Sequence, residues 1–155
     1  MKTLLILIAA VFLSPTVFAQ PVQKVVPVQL GAKAFKDGDV ILIEEVRSTS
    51  PRLEQGDTVT VKGRYRLAST DLASLQLLLT QVKGDGREET DSKQTVNASQ
   101  GGSKPFEVTI TVKHRGFLHL TFYETKSGKP FGGVYFGTPR QMARAADLSV
   151  SHYLK

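Results

Sequence analysis

The residues able to do chemistry are few, and their spacing matters more than their number. The chain has three histidines, His114, His119 and His152. A helical zinc site needs two at a His-x-x-x-His spacing, so that both rings leave one face of the helix. No pair has it. His114 falls in a loop and His119 on the outward face of a strand, so nothing in the spacing makes them converge. The chain has no cysteine, which excludes thiolate nucleophiles, thiol redox chemistry and cysteine-ligated metals. No Gly-x-Ser-x-Gly elbow is present. Glu44 and Glu45 are neighbours on a strand and project to opposite faces. Glu88 and Glu89 sit in a polar stretch and read as solvated charges. Gly128-Lys129 has the ending of a phosphate loop, but Pro130 replaces the required Ser or Thr, and no glycine stands five residues earlier. No residue is assigned a catalytic, cofactor-binding or metal-binding role, and no cofactor is implied.

Two groups remain as candidate binding surfaces. Lys62, Arg64 and Arg66 alternate along one strand and make a basic stripe. That stripe suits an anionic glycan, a lipid headgroup or an acidic protein; it equally suits a solvated face that discourages aggregation. Phe117, His119, Thr121 and Tyr123 alternate along another strand, on the side away from the core. They form an aromatic and polar face that suits sugars or a partner, or they lie beneath the C-terminal segment, because large apolar patches are seldom left open.

The elements that position these groups are strands. From Thr58 to Leu67 the pattern has period two: Val59, Val61, Gly63, Tyr65 and Leu67 on one face, Thr58, Thr60, Lys62, Arg64 and Arg66 on the other. That is an antiparallel strand wet on one side. Val40 to Ile43 is four apolar residues in succession and predicts a strand covered on both faces. Leu75 to Val82 reads as a strand with Leu75, Leu77 and Leu79 on one face. Arg87 to Gln94 reads as an exposed loop, and Thr95 to Ser99 as a short strand. Phe106, Val108, Ile110 and Val112 share a face, as do Leu118, Leu120 and Phe122; the short Lys113-to-Gly116 link predicts a hairpin. Phe131 to Phe136 is an aromatic strand whose Gly132-Gly133 pair predicts a bulge or a close backbone approach. Thr138-Pro139-Arg140-Gln141 has the layout of a helix capping box, and Leu148 to Leu154 reads as a last strand.

The N-terminus carries a different signal. Lys2 precedes an unbroken apolar run, Leu4 to Leu13, which Ser14-Pro15 ends; Val17-Phe18-Ala19 then presents the residues a signal peptidase reads. A run of ten is half of what a membrane-spanning helix needs. The expectation is an exported protein, periplasmic or extracellular, cleaved after Ala19, with no lipid anchor and no transmembrane segment after cleavage. The remaining 136 residues carry a formal charge of +5, and the pI of the whole chain is about 9.7. The basic balance suits weak association with anionic surfaces, and export argues against nucleic acid. Asn97-Ala98-Ser99 matches a glycosylation sequon.

Ser50-Pro51-Arg52-Leu53-Glu54-Gln55-Gly56-Asp57 followed by Thr58-Val59-Thr60-Val61-Lys62-Gly63-Arg64-Tyr65 resembles the opening strands of immunoglobulin-like or fibronectin-type-III-like modules of bacterial exported proteins. The resemblance spans residues 39–137. It departs from true immunoglobulin domains in lacking paired cysteines and a core tryptophan. It implies a β-sandwich with a binding or spacer role and carries over no functional residue.

The expected protein is all-β: a single antiparallel, immunoglobulin-like sandwich with a cleaved signal helix and a short C-terminal helix. Its parts are a signal peptide (1–19), an extended linker (20–38) with a short edge strand at Val25 to Gln29, the sandwich (39–137) and a helix/strand extension (138–155). Its expected role is non-catalytic binding or structural support, with an extracytoplasmic protein, a glycan or an anionic surface as partner. The second class is a secreted enzyme or enzyme inhibitor with a site built from loops, which converging titratable side chains would reveal.

Overall fold

The computed structural model describes residues 21–36, 38–82, 88–90 and 94–145. The signal peptide expected over residues 1–19 and the strand expected at 148–154, with His152, lie outside them. The described residues form two packed antiparallel sheets and one short helix.

The first sheet holds β1 (Lys24–Val25), β3 (Val40–Ser48), β4 (Thr58–Arg66) and β8 (Lys104–Thr111), in that order across the sheet. The second runs β2 (Gln29–Ala34), β10 (Pro130–Gly137), β9 (Gly116–Glu124), β5 (Leu72–Gln81). On the far side of β5, β6 (Glu88–Thr90) pairs with Leu78 to Thr80, and β7 (Val96–Ser99) pairs with Leu72 to Leu75.

Period-two alternation decides what faces inward. Val59, Val61, Val108 and Ile110 of the first sheet meet Leu75, Leu77, Leu79, Leu120 and Phe122 of the second, all essentially fully buried. Leu75, Leu77 and Leu79 stand opposite Phe122, Leu120 and Leu118 in the β5–β9 register. Phe122 stacks on Phe131 at 5.8 Å and meets Tyr65 edge-on at 6.1 Å. This aromatic cluster fills a centre that has neither disulfide nor tryptophan.

Four sequence expectations change. The link from β8 to β9 is not a hairpin: β8 pairs with β4, β9 pairs with β5 and β10, and the chain crosses from one sheet to the other. Alternation shows which side of a strand is buried, but a partner beside it and a partner across the core leave the same pattern. Gly116 lets β9 start hard against β5, where a Cβ would run into the Thr80 carbonyl. Second, the Val40-to-Ile43 run is not covered on both faces: Ile41 is buried, but Val40 and Leu42 are 41% and 51% exposed. Third, the expected Arg87-to-Gln94 loop contains β6, which follows the Leu78-to-Thr80 backbone. Fourth, residues 24–34 enter both sheets. β1 pairs with Arg47 and Ser48, Val26 N–H donates to the Val46 carbonyl (2.8 Å), and after Pro27 the chain crosses to place β2 against β10. Backbone pairing places these edge segments, and their mostly exposed side chains show no period.

The aromatic β10 strand has its bulge, at Phe131 between Pro130 and Gly132. Helix α1 (Pro139–Arg144) follows, opened by the capping box: Gln141 N–H donates to Thr138 Oγ1, and Thr138 N–H donates to Gln141 Oε1. Gln141 Nε2 also donates to the Leu53 carbonyl (3.0 Å). The helix is thereby tied to the β3–β4 loop. Among the described residues no helix is long and apolar enough to cross a membrane.

Candidate binding surfaces

The basic stripe is where alternation put it, on the outer face of β4, but each cation is engaged by the protein itself. Lys62 pairs with Glu107 on β8 at 3.1 Å. Arg64 donates through Nε to Ser103 Oγ (2.9 Å) and through Nη2 to the Ser103 carbonyl (3.0 Å). Arg66 Nε donates to the Gly38 carbonyl (2.8 Å). Facing them on β3 are Leu42, opposite Arg64, and Val40, opposite Arg66. The guanidinium groups bind turns at one end of the sheet, so a ligand anion there would compete with the fold's own acceptors.

The aromatic and polar face of β9 lies on the outside of the second sheet and splits in two. One part is sealed. His119 and Thr121 are wholly buried, as is Tyr135 of β10, which stands opposite His119. His119 Nδ1 is 2.8 Å from Thr121 Oγ1, its Nε2 is 3.1 Å from Thr80 Oγ1, and Thr80 Oγ1 is 3.1 Å from the Tyr135 hydroxyl. The His119 and Tyr135 rings lie 4.8 Å apart. Met142 and Ala145 pack on Tyr135, and Phe117 and Ala32 join that cluster. A buried polar network of this kind is stable when its members are satisfied; among the described residues no buried side-chain polar atom lacks a partner. His119 is enclosed in this network, and Phe117 is partly buried beside it.

The other part is open. Tyr123 leaves the same face of β9, opposite Ser74, and lines a groove of about 520 Å³. Ser74, Gln76 and Leu78 of β5 form its floor, Asn97 of β7 one wall, and Glu124, Thr125 and Gly128 the other. Gln76 Nε2 donates to Ser74 Oγ (2.9 Å), and Ser127 Oγ donates to Glu124 Oε2 (2.6 Å). The turn beside it is set by Gly128, whose φ of 67° suits glycine, with Gly128 N–H donating to the Glu124 carbonyl (2.9 Å). Sequence reasoning found Tyr123 by its alternation. It missed Gln76 and Asn97, because their convergence depends on β7 pairing with β5 across a connection of fourteen residues.

Among the described residues no three of His, Cys, Asp and Glu gather as a metal site. His114 is exposed in the link between β8 and β9, away from His119, which is buried on the sheet. Comparison with protein-family models, with curated proteins and with solved structures finds no match to this chain.

Proposed function

We propose that this chain is an exported, non-catalytic binding module of the immunoglobulin-like class, and that the groove beside Tyr123 takes a hydroxyl-rich ligand of the glycan type. One observation carries the reading: an open groove lined by a tyrosine, two carboxamides and hydroxyls, standing on a rigid sheet. An aromatic ring offers a flat apolar face to a sugar ring, while amides and hydroxyls exchange hydrogen bonds with its hydroxyl groups. Its titratable groups are Tyr123 and Glu124, and the Glu124 carboxylate is held by the Ser127 hydroxyl of its own turn at 2.6 Å.

The strand order supports the immunoglobulin-like reading. The chain makes β3 and β4 in one sheet, crosses for β5 and β7, returns with β8 beside β4, and crosses again for β9 beside β5 and then β10. These seven of the ten described strands, in two sheets with Greek-key crossings, follow the pattern of that class. Support for export is the layout of residues 1–19.

The test is a glycan array followed by calorimetry on the responding sugar. Wild type binds, and Tyr123→Ala, Gln76→Ala and Asn97→Ala each weaken binding by about tenfold, the scale of one lost charge-free contact set. A silent array, or binding indifferent to all three substitutions, overturns the reading.

A further inference from the structure

The first sheet ends on β8, and among the described residues β8 pairs only with β4. Its backbone phase is set by its end, where Val112 N–H donates to the Asp57 carbonyl and Gly56 N–H donates to the Val112 carbonyl, both at 2.8 Å. Alternate residues of an antiparallel strand turn their backbone groups to the same neighbour. Phe106, Val108 and Ile110 therefore turn theirs to β4. Glu107, Thr109 and Thr111 present N–H and C=O to the open side, and Pro105, with no N–H to offer, presents its C=O.

Other long edges in this fold are interrupted. β3 is bulged between Ile43 and Glu45 and partly covered by β1, and β2 is irregular against β10 and carries Lys33. β8 follows β4 over eight residue pairs without a register shift. No lysine or arginine interrupts residues 105–111, and those residues guard natural edges. The face beside this edge is level and charge-balanced: Lys62 pairs with Glu107, Thr60 Oγ1 lies 2.9 Å from Thr109 Oγ1, and Thr58 Oγ1 lies 3.4 Å from Thr111 Oγ1.

We propose that a second copy of this chain pairs antiparallel along β8, about a two-fold axis at Thr109, joining the two first sheets into one. The edge is self-complementary in one register. With Thr109 opposite its own copy, Glu107 meets Thr111 and Thr111 meets Glu107. All the outward N–H groups of the strand then find carbonyls, threonine meets threonine, and Pro105 lies outside the paired core. Sliding so that Glu107 meets Thr109 sets Pro105 against Thr111 and loses a donor. Sliding so that Glu107 meets itself sets carboxylate against carboxylate, which is unfavourable.

Sedimentation velocity across a concentration series tests this. Wild type shifts from one chain to two as concentration rises. Thr109→Lys and Thr109→Glu each stay monomeric over the same range, because like charges then meet at the axis. An equimolar mixture of the two variants restores the dimer. Circular dichroism and melting of each variant, at wild-type values, separate lost pairing from lost folding. A wild type that stays monomeric throughout overturns the proposal, and so does a folded Thr109→Lys that dimerises as wild type does. A dimer that survives both single substitutions but answers to changes elsewhere also overturns it.

Discussion

Asp39 and Asp57 are buried carboxylates that hold the turns around them. Asp39 accepts from Ala68 N–H (2.8 Å), Ser69 N–H (3.0 Å) and Ser69 Oγ (2.6 Å), locking the exit of β4 to the entry of β3. Asp57 accepts from Ser50 Oγ (2.7 Å), Glu54 N–H (2.8 Å) and Thr49 Oγ1 (3.3 Å), which fixes the β3–β4 loop where Leu53 is held at a φ of 54°. Hydrogen bonds to a charged acceptor are worth more than neutral ones, and losing the acceptor strands buried donors. Asp39→Ala should lower unfolding free energy by about 2–4 kcal/mol. Lys62→Ala removes an exposed ion pair and should cost less than about 1 kcal/mol. Urea unfolding of the two variants side by side checks the contrast; equal losses would mean that the stripe, and not the turn clamps, holds this end of the sheet.

Gly63 couples three strands. It sits on β4 opposite the β3 bulge and opposite Phe106 of β8. A Cβ there would collide with the Leu42 carbonyl and come within 2.9 Å of the Phe106 ring. The carbonyl cannot rotate away without breaking the β3–β4 ladder. Gly63→Ala should therefore cost about 1–3 kcal/mol, the range for overpacking a filled core, whereas Gly102→Ala, with open space around it, should leave the melting temperature close to wild type. The alternation of Thr58 to Leu67 already placed Gly63 on the core side. What it could not show is that the missing side chain makes room for Phe106, a residue forty-three positions away.

For the molecule as a whole, the N-terminal segment closes an edge of each sheet. β1 covers one end of β3, and β2 runs along β10 with its Ala32 packed in the cluster of Tyr135 and Met142. Removing residues 20–34 should lower the melting point and uncover the edges of β3 and β10, so that on size-exclusion chromatography the truncated protein forms species larger than any the longer chain forms at the same concentration. A truncated chain as stable and as well behaved as the longer one would return these residues to the status of a linker.

The all-β character and the inward set of side chains were determined by the sequence alone. Val59, Val61, Leu75, Leu77, Leu79, Val108, Ile110, Leu120 and Phe122 are inward because strand side chains alternate, a local property of the backbone. The capping box at Thr138 was legible for the same reason, since its partners lie three residues apart. Tertiary structure alone decided which strands are neighbours. It turned the expected β8–β9 hairpin into a crossing, left Val40 and Leu42 open, drew residues 24–34 into both sheets, and split the Phe117-to-Tyr123 face into a sealed network and a groove. Burial leaves a periodic mark on a strand, whereas the identity of its hydrogen-bonded partner leaves none, because every backbone offers the same N–H and C=O.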